Sequence, residues 1–203
     1  MRPRRDGDSG LHAVPIFAAL DRHGVRYVAV GSYSAIAQGI DLDLTDLDIV
    51  PAIDADNGER LAAALKDLHA YDKSANTIED SYDFMNDPEM LTDTKFSTFV
   101  TEFGELDVIL RPAGFPQGYN DLIKNALSAV LRDDNNPTIV VEAVLADVHD
   151  IYESKRLAGR RKDIDALPRF IGIHPSNIRE SVREQYRADQ LRRTQPPGLS
   201  GSD

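Results

Sequence analysis

The 203-residue chain has no cysteine and no tryptophan. Disulfides and thiolate chemistry are therefore excluded. No uninterrupted apolar stretch approaches the roughly 20 residues that a membrane-spanning helix needs. The start, Met1-Arg2-Pro3-Arg4-Arg5-Asp6, lacks the apolar segment of a secretory signal. Together these features predict a cytoplasmic address. The five histidines, His12, His23, His69, His149 and His174, are scattered without metal-ligand spacing, which argues against zinc. Positive charge is also scarce, 23 Lys and Arg against 34 Asp and Glu, for a formal net charge of -11. The scarcity is uneven. Residues 155–203 hold 11 Lys and Arg against 6 Asp and Glu, so the basic residues gather at the C-terminal end and the remainder is strongly acidic. A chain that is 41% apolar can bury one core, or one core with a small helical part.

The sequence does contain two carboxylates one residue apart at the head of an apolar run, Thr45-Asp46-Leu47-Asp48-Ile49-Val50. On a strand, Asp46 and Asp48 project to one face while Leu47 and Ile49 enter a core. Paired carboxylates of this kind clamp a hard divalent cation such as Mg2+, whose shell is completed by water and substrate phosphates. Upstream, the apolar stretch Tyr27-Val28-Ala29-Val30 runs into Gly31-Ser32 and then Ser34-Ala35-Ile36-Ala37-Gln38, which reads as a strand-to-helix turn closed by Gly39. Gly31 lets backbone approach a phosphate, amides at a helix start attract it, and the Ser32 hydroxyl can bond it. A third carboxylate is expected from Gly104-Glu105-Leu106-Asp107-Val108-Ile109-Leu110, paired as a hairpin with Lys95–Thr101. Asp107 is the candidate and Glu105 the competitor on the same face.

Strand, Gly-Ser, short helix, Gly and hydroxyl-Asp-x-Asp, in that order, resemble the signature of the nucleotidyltransferase superfamily, over about residues 26–170. The stretch Lys155-Arg156-Leu157-Ala158-Gly159-Arg160-Arg161-Lys162-Asp163-Ile164-Asp165 is similar to a segment of the superfamily's AbiE-type toxin branch, which includes the mycobacterial MenT toxins of type IV toxin-antitoxin systems. The resemblance implies an α/β (α+β) fold, a mixed sheet flanked by helices with a helical C-terminal part. It also implies a nucleoside triphosphate substrate, Mg2+ (or Mn2+) on Asp46, Asp48 and Asp107, a triphosphate contact from Lys155, and Asp163 completing the site. The acceptor it implies is the 3' end of tRNA, with arrest of translation and growth as the outcome and an antitoxin as cognate partner. Where the branch carries a basic residue before Asp-x-Asp, this chain reads Ile40-Asp41-Leu42-Asp43-Leu44, and the two added acids either recruit a second cation or face solvent.

Arg160 and Lys162, with Arg179, Arg183 and Arg187 spaced by four as one helical face, are candidates to meet RNA; a solvated helix paired with Glu180 and Glu184 is the competing account. Thr45, beside the carboxylates, is a candidate for regulatory phosphorylation, because roughly -1.5 to -2 of added charge would oppose an anionic substrate. Two other functions fit the residues: transfer to a small aminoglycoside-like molecule or a protein hydroxyl, and a catalytically silent module that only binds. The expected organisation is a disordered start (1–10), a core (11–144), a helical part (145–193) and a flexible tail (194–203). Within it, helices are expected at 11–22 and 56–69, a patternless acidic loop at 71–93 and a strand near 138–144.

Overall fold

The computed structural model describes residues 10–75 and 96–170. The expectations for the first residues, most of the acidic loop, the Arg179–Arg187 stripe and the tail lie outside these.

A seven-stranded mixed sheet forms the centre, in the order β3-β4-β5-β2-β1-β7-β6. Its strands are β1 (Tyr27–Val30), β2 (Asp46–Pro51), β3 (Tyr71–Asp72), β4 (Phe96–Thr101), β5 (Gly104–Ile109), β6 (Leu127–Arg132) and β7 (Val140–Leu145). The inner strands β1, β2 and β5 pair in register, Val30 opposite Asp48 in an antiparallel ladder and Asp48 opposite Asp107 in a parallel one. The expected hairpin of β4 and β5 forms, with its turn at Glu102-Phe103, and sets Thr98 opposite Asp107.

The period-two alternation of β2 divides the molecule. Leu47 and Ile49 join one core with Leu106 and Val108 of β5, under α1 (Ala13–Arg22) and α3 (Ala55–Asp67). Both helices fall close to their expected bounds. Asp54 caps α3 by accepting from the Asn57 amide at 3.1 Å. Val28, Val30 and Val50 face the other way, into a smaller core with Ala35 of α2 (Gly31–Ala37), Leu122 of α4 (Tyr119–Leu122) and Ile151 of α5 (Val148–Ala158). Asp46 and Asp48 share this second face, so their strand places carboxylates beside an apolar floor.

Helix α5 starts on Asp147, whose carboxylate accepts from the His149 amide at 2.9 Å, and ends at Gly159 in the left-handed region, φ +62. That turn redirects the chain into α6 (Arg161–Ala166), followed by a 3-10 turn over Leu167–Arg169 that contains Pro168. The break at Gly159 and the stop near Pro168 agree with the sequence. Strands β3 and β6 and helix α4 were not expected: β3 takes the first two residues of the expected acidic loop and pairs with β4, β6 reads Leu-Ser-Ala-Val-Leu-Arg at the sheet edge, and α4 is a single turn. No helix among the described residues is long and apolar enough to cross a membrane.

Candidate active site

Asp46, Asp48 and Asp107 converge from β2 and β5, each with a carboxylate oxygen lying within 4.8 Å of the others. Parallel pairing creates this geometry, because residues in register on adjacent strands lie about 4.8 Å apart with side chains to the same face. Glu105, in register with Asp46, is turned to Lys73, whose ammonium lies 2.7 Å from its carboxylate. The third carboxylate of the cluster is therefore Asp107, and Glu105 belongs to a rim ion pair.

Burial raises the Asp48 carboxyl to about 7, reinforced by the charges of Asp46 and Asp107 and opposed by those of Lys155 and Lys162. Burial also pushes the Asp107 carboxyl up, against a hydrogen bond donated by the Thr98 hydroxyl at 2.7 Å. Three acids held this close repel one another, and a divalent cation among them would relieve the repulsion. Their all-oxygen donor set and spacing fit Mg2+, which is content with a few carboxylates and keeps its remaining positions for water or phosphate.

Gly31, directly after β1, has φ +67, and a side chain there would collide with the Asp48 carboxylate. Both constraints require glycine. Ser32 follows in the first turn of α2 and lines the same cavity as the acids. Gln38, beyond the end of α2, fixes that helix to α5. Its amide nitrogen donates to the Ser34 and Ala146 carbonyls at 2.8 Å each, and its amide oxygen accepts from the Val148 amide at 2.9 Å.

The cavity occupies about 980 Å3, and Lys155, Arg160 and Lys162 give it a cationic wall together with Asp163, which pairs with two of them. Asp163 is fully buried. It accepts from the Arg160 Nε at 2.6 Å and lies 3.5 Å from the Lys155 ammonium, itself largely buried. Asp163 thus anchors the two cations and orients them, from α6 rather than from the strands that carry the acidic cluster. Lys162 acts electrostatically on both Asp48 and Asp107, and so lies closer to the acids than a peripheral RNA contact would. The Thr45 hydroxyl donates to Asp46 at 3.0 Å. Of the two added acids, Asp41 pairs with Arg169 at 3.0 Å across the cavity mouth, and Asp43 is exposed on its lining.

Sequence reasoning missed Thr98, Gln38 and Lys73. Thr98 was readable in principle: a two-residue turn at Glu102-Phe103 fixes the register that puts it against Asp107. Gln38 and Lys73 act across contacts distant in sequence, which no local pattern announces.

No protein-family model matches the chain, and no curated protein matches it. Among solved structures, a protein of Thermotoga maritima provisionally named a nucleotidyltransferase is similar, with a TM-score of 0.43 and 15% identity over 78% of this chain and 89% of that one.

Proposed function

We propose that this protein is a Mg2+-dependent nucleotidyltransferase that moves a nucleoside monophosphate from a triphosphate to a hydroxyl. The observation that supports this best is the acidic cluster of Asp46, Asp48 and Asp107, with carboxylate oxygens within 4.8 Å, sharing one cavity with a cationic wall. A site that brings these acids and Lys155, Arg160 and Lys162 into one cavity suits a ligand that is both metal-bound and polyanionic.

In this mechanism Gly31 gives the triphosphate close access, the Ser32 hydroxyl bonds a phosphate oxygen, and Lys155, held by Asp163, meets the charge of the departing pyrophosphate. Asp46, Asp48 and Asp107 would hold Mg2+, which when bound supplies charge stabilisation to the attacking and leaving oxygens. The acceptor oxygen attacks the α-phosphorus, the bond from that phosphorus to the bridging oxygen breaks, and pyrophosphate leaves. The acceptor's proton passes to the Asp107 carboxylate, the member of the cluster on β5.

The acceptor we assign is the 3' end of tRNA, with arrest of translation and growth in the cytoplasm as consequence and neutralisation by an antitoxin. The support for these finer assignments is the resemblance of the Lys155–Asp163 segment to the AbiE-type toxins. Phosphorylation of Thr45, which lies against Asp46, would block the same site.

The test is incubation of the protein with total tRNA, Mg2+ and each of four α-labelled nucleoside triphosphates, beside Asp48→Ala. Label is expected on tRNA with wild type and at least about a thousandfold less with the variant, the scale of losing a group central to transition-state stabilisation. Equal labelling by the variant would overturn the mechanism. Label found only on small molecules or protein would overturn the acceptor.

A further inference from the structure

Across the sheet, the site's parts lie in a fixed sequence. Gly31 and Ser32 follow β1, Asp46 and Asp48 stand on β2, Asp107 on β5, and Thr98 and Phe96 on β4. Phosphate-holding groups occupy the β1 end. The acceptor must therefore approach from the β4 side, where Asp107 is the nearest carboxylate.

Phe96 is unusual on that side. It stands opposite Ile109 in the β4–β5 ladder, two residues before Thr98, and so shares the face on which Thr98 bonds Asp107. Diagonal neighbours across such a pair are about 7–8 Å apart, within the reach of an aromatic ring. The ring lines the cavity yet is 52% exposed, while Phe99 of the same strand is completely buried. Arg111 follows two residues after the end of β5, in the bend that leaves the strand. It is exposed, lines the same cavity, and pairs with no carboxylate among the described residues. An open aromatic face and an exposed guanidinium lining one cavity are the combination by which proteins hold unpaired nucleotides, with stacking for the base and a cation for the phosphate.

We infer that Phe96 is the stacking platform for the base of the acceptor's terminal nucleotide, with Arg111 on the phosphate that precedes it. This inference rests on the nucleotidyltransferase reading and narrows its acceptor to an unpaired nucleic acid end. A polycationic small molecule would meet an uncompensated arginine at the same place. Phe96 thereby acts as a determinant of acceptor choice, with no part in holding the triphosphate.

Two measurements test it. In transfer assays, Phe96→Ala is expected to raise KM for the RNA acceptor roughly five- to hundredfold and leave KM for the triphosphate unchanged. Phe96→Tyr should restore the wild-type value and Phe96→Leu, which keeps bulk without a π face, should not. An unchanged acceptor KM in Phe96→Ala, with wild type active on RNA, would overturn the platform and leave the transferase reading intact. Independently of transfer, a single-stranded oligoribonucleotide ending in 2-aminopurine should be quenched on binding wild type and Phe96→Tyr, and not Phe96→Ala. Absence of quenching with wild type overturns the inference, whereas quenching without transfer from any triphosphate overturns the transferase reading alone. Because the side chain is half in solvent, its removal opens no core cavity, and matching melting curves would verify that the variants fold.

Discussion

Asp48 carries opposite obligations to stability and to chemistry. Its carboxyl is raised to about 7, so between the unfolded value near 4 and that point the folded protein holds a proton that the unfolded chain has lost. Stability therefore falls as pH rises from about 4 to about 7, and above that the full cost of the third negative charge is felt. In chelator, Asp48→Asn is expected to melt higher than wild type at pH 8, by a difference on the order of 2–4 kcal/mol, and to lose most of that advantage at pH 5. Thermal melts at both values check this. An Asn variant less stable at pH 8 would mean that the Asp48 charge is already compensated within the protein. Gly31 belongs to the same scale: the left-handed backbone and the nearness of Asp48 leave no room for another residue, so one glycine couples the phosphate turn to the acids.

Among elements, the joint between α2 and α5 decides whether the phosphate turn and Lys155 face each other. Gln38 makes that joint with three hydrogen bonds, two to carbonyls and one from the Val148 amide. Gln38→Ala leaves the Ala146 carbonyl and the Val148 amide without this partner. The expected cost is about 1–3 kcal/mol of stability, with weaker triphosphate binding, read by denaturant melts and nucleotide titration. Gln38→Glu should be worse than Ala, since it keeps the acceptor for Val148 but turns a carboxylate oxygen toward two carbonyls. A Glu variant with wild-type stability would remove the joint from the account. Elements with a strong local signature were readable from the chain: β2 and β5 by alternation, α3 by its run of Ala and Leu, the α5–α6 break by Gly159. Strand β6 was not, because an edge strand half open to solvent carries no clean alternation of burial. Asp163 was read as a site residue, and only packing reveals that its burial against Lys155 and Arg160 makes it their anchor.

For the molecule as a whole, charge is divided between an acidic majority and a group of cations that shares one cavity with the acidic cluster. Divalent cation is expected to raise the melting temperature of wild type by mass action, with a shift that grows with the logarithm of metal concentration above the dissociation constant. Asp48→Ala should show little of that shift, and a full shift in the variant would place the cation elsewhere. Composition made the cation plausible, and the spacing of Asp46 and Asp48 located half of its cradle. The other half depended on which distant strand lies beside β2, and that is a property of topology rather than of any segment.

The parallel pairing of β2 with β5 also has a kinetic side. Asp48 and Asp107 are far apart in the chain and meet only when a long loop has closed, with α3, β3 and β4 lying between them in sequence. Contacts of that kind form late, since loop-closure entropy is spent before they return anything. Three like charges brought together at that stage add a barrier of their own to the pairing of β2 with β5. A cation that binds only the finished cluster contributes nothing earlier, so it should leave the refolding rate nearly unchanged and slow unfolding instead. The metal would then act as a lock on the closed central sheet, lengthening the lifetime of the native state more than it hastens its arrival.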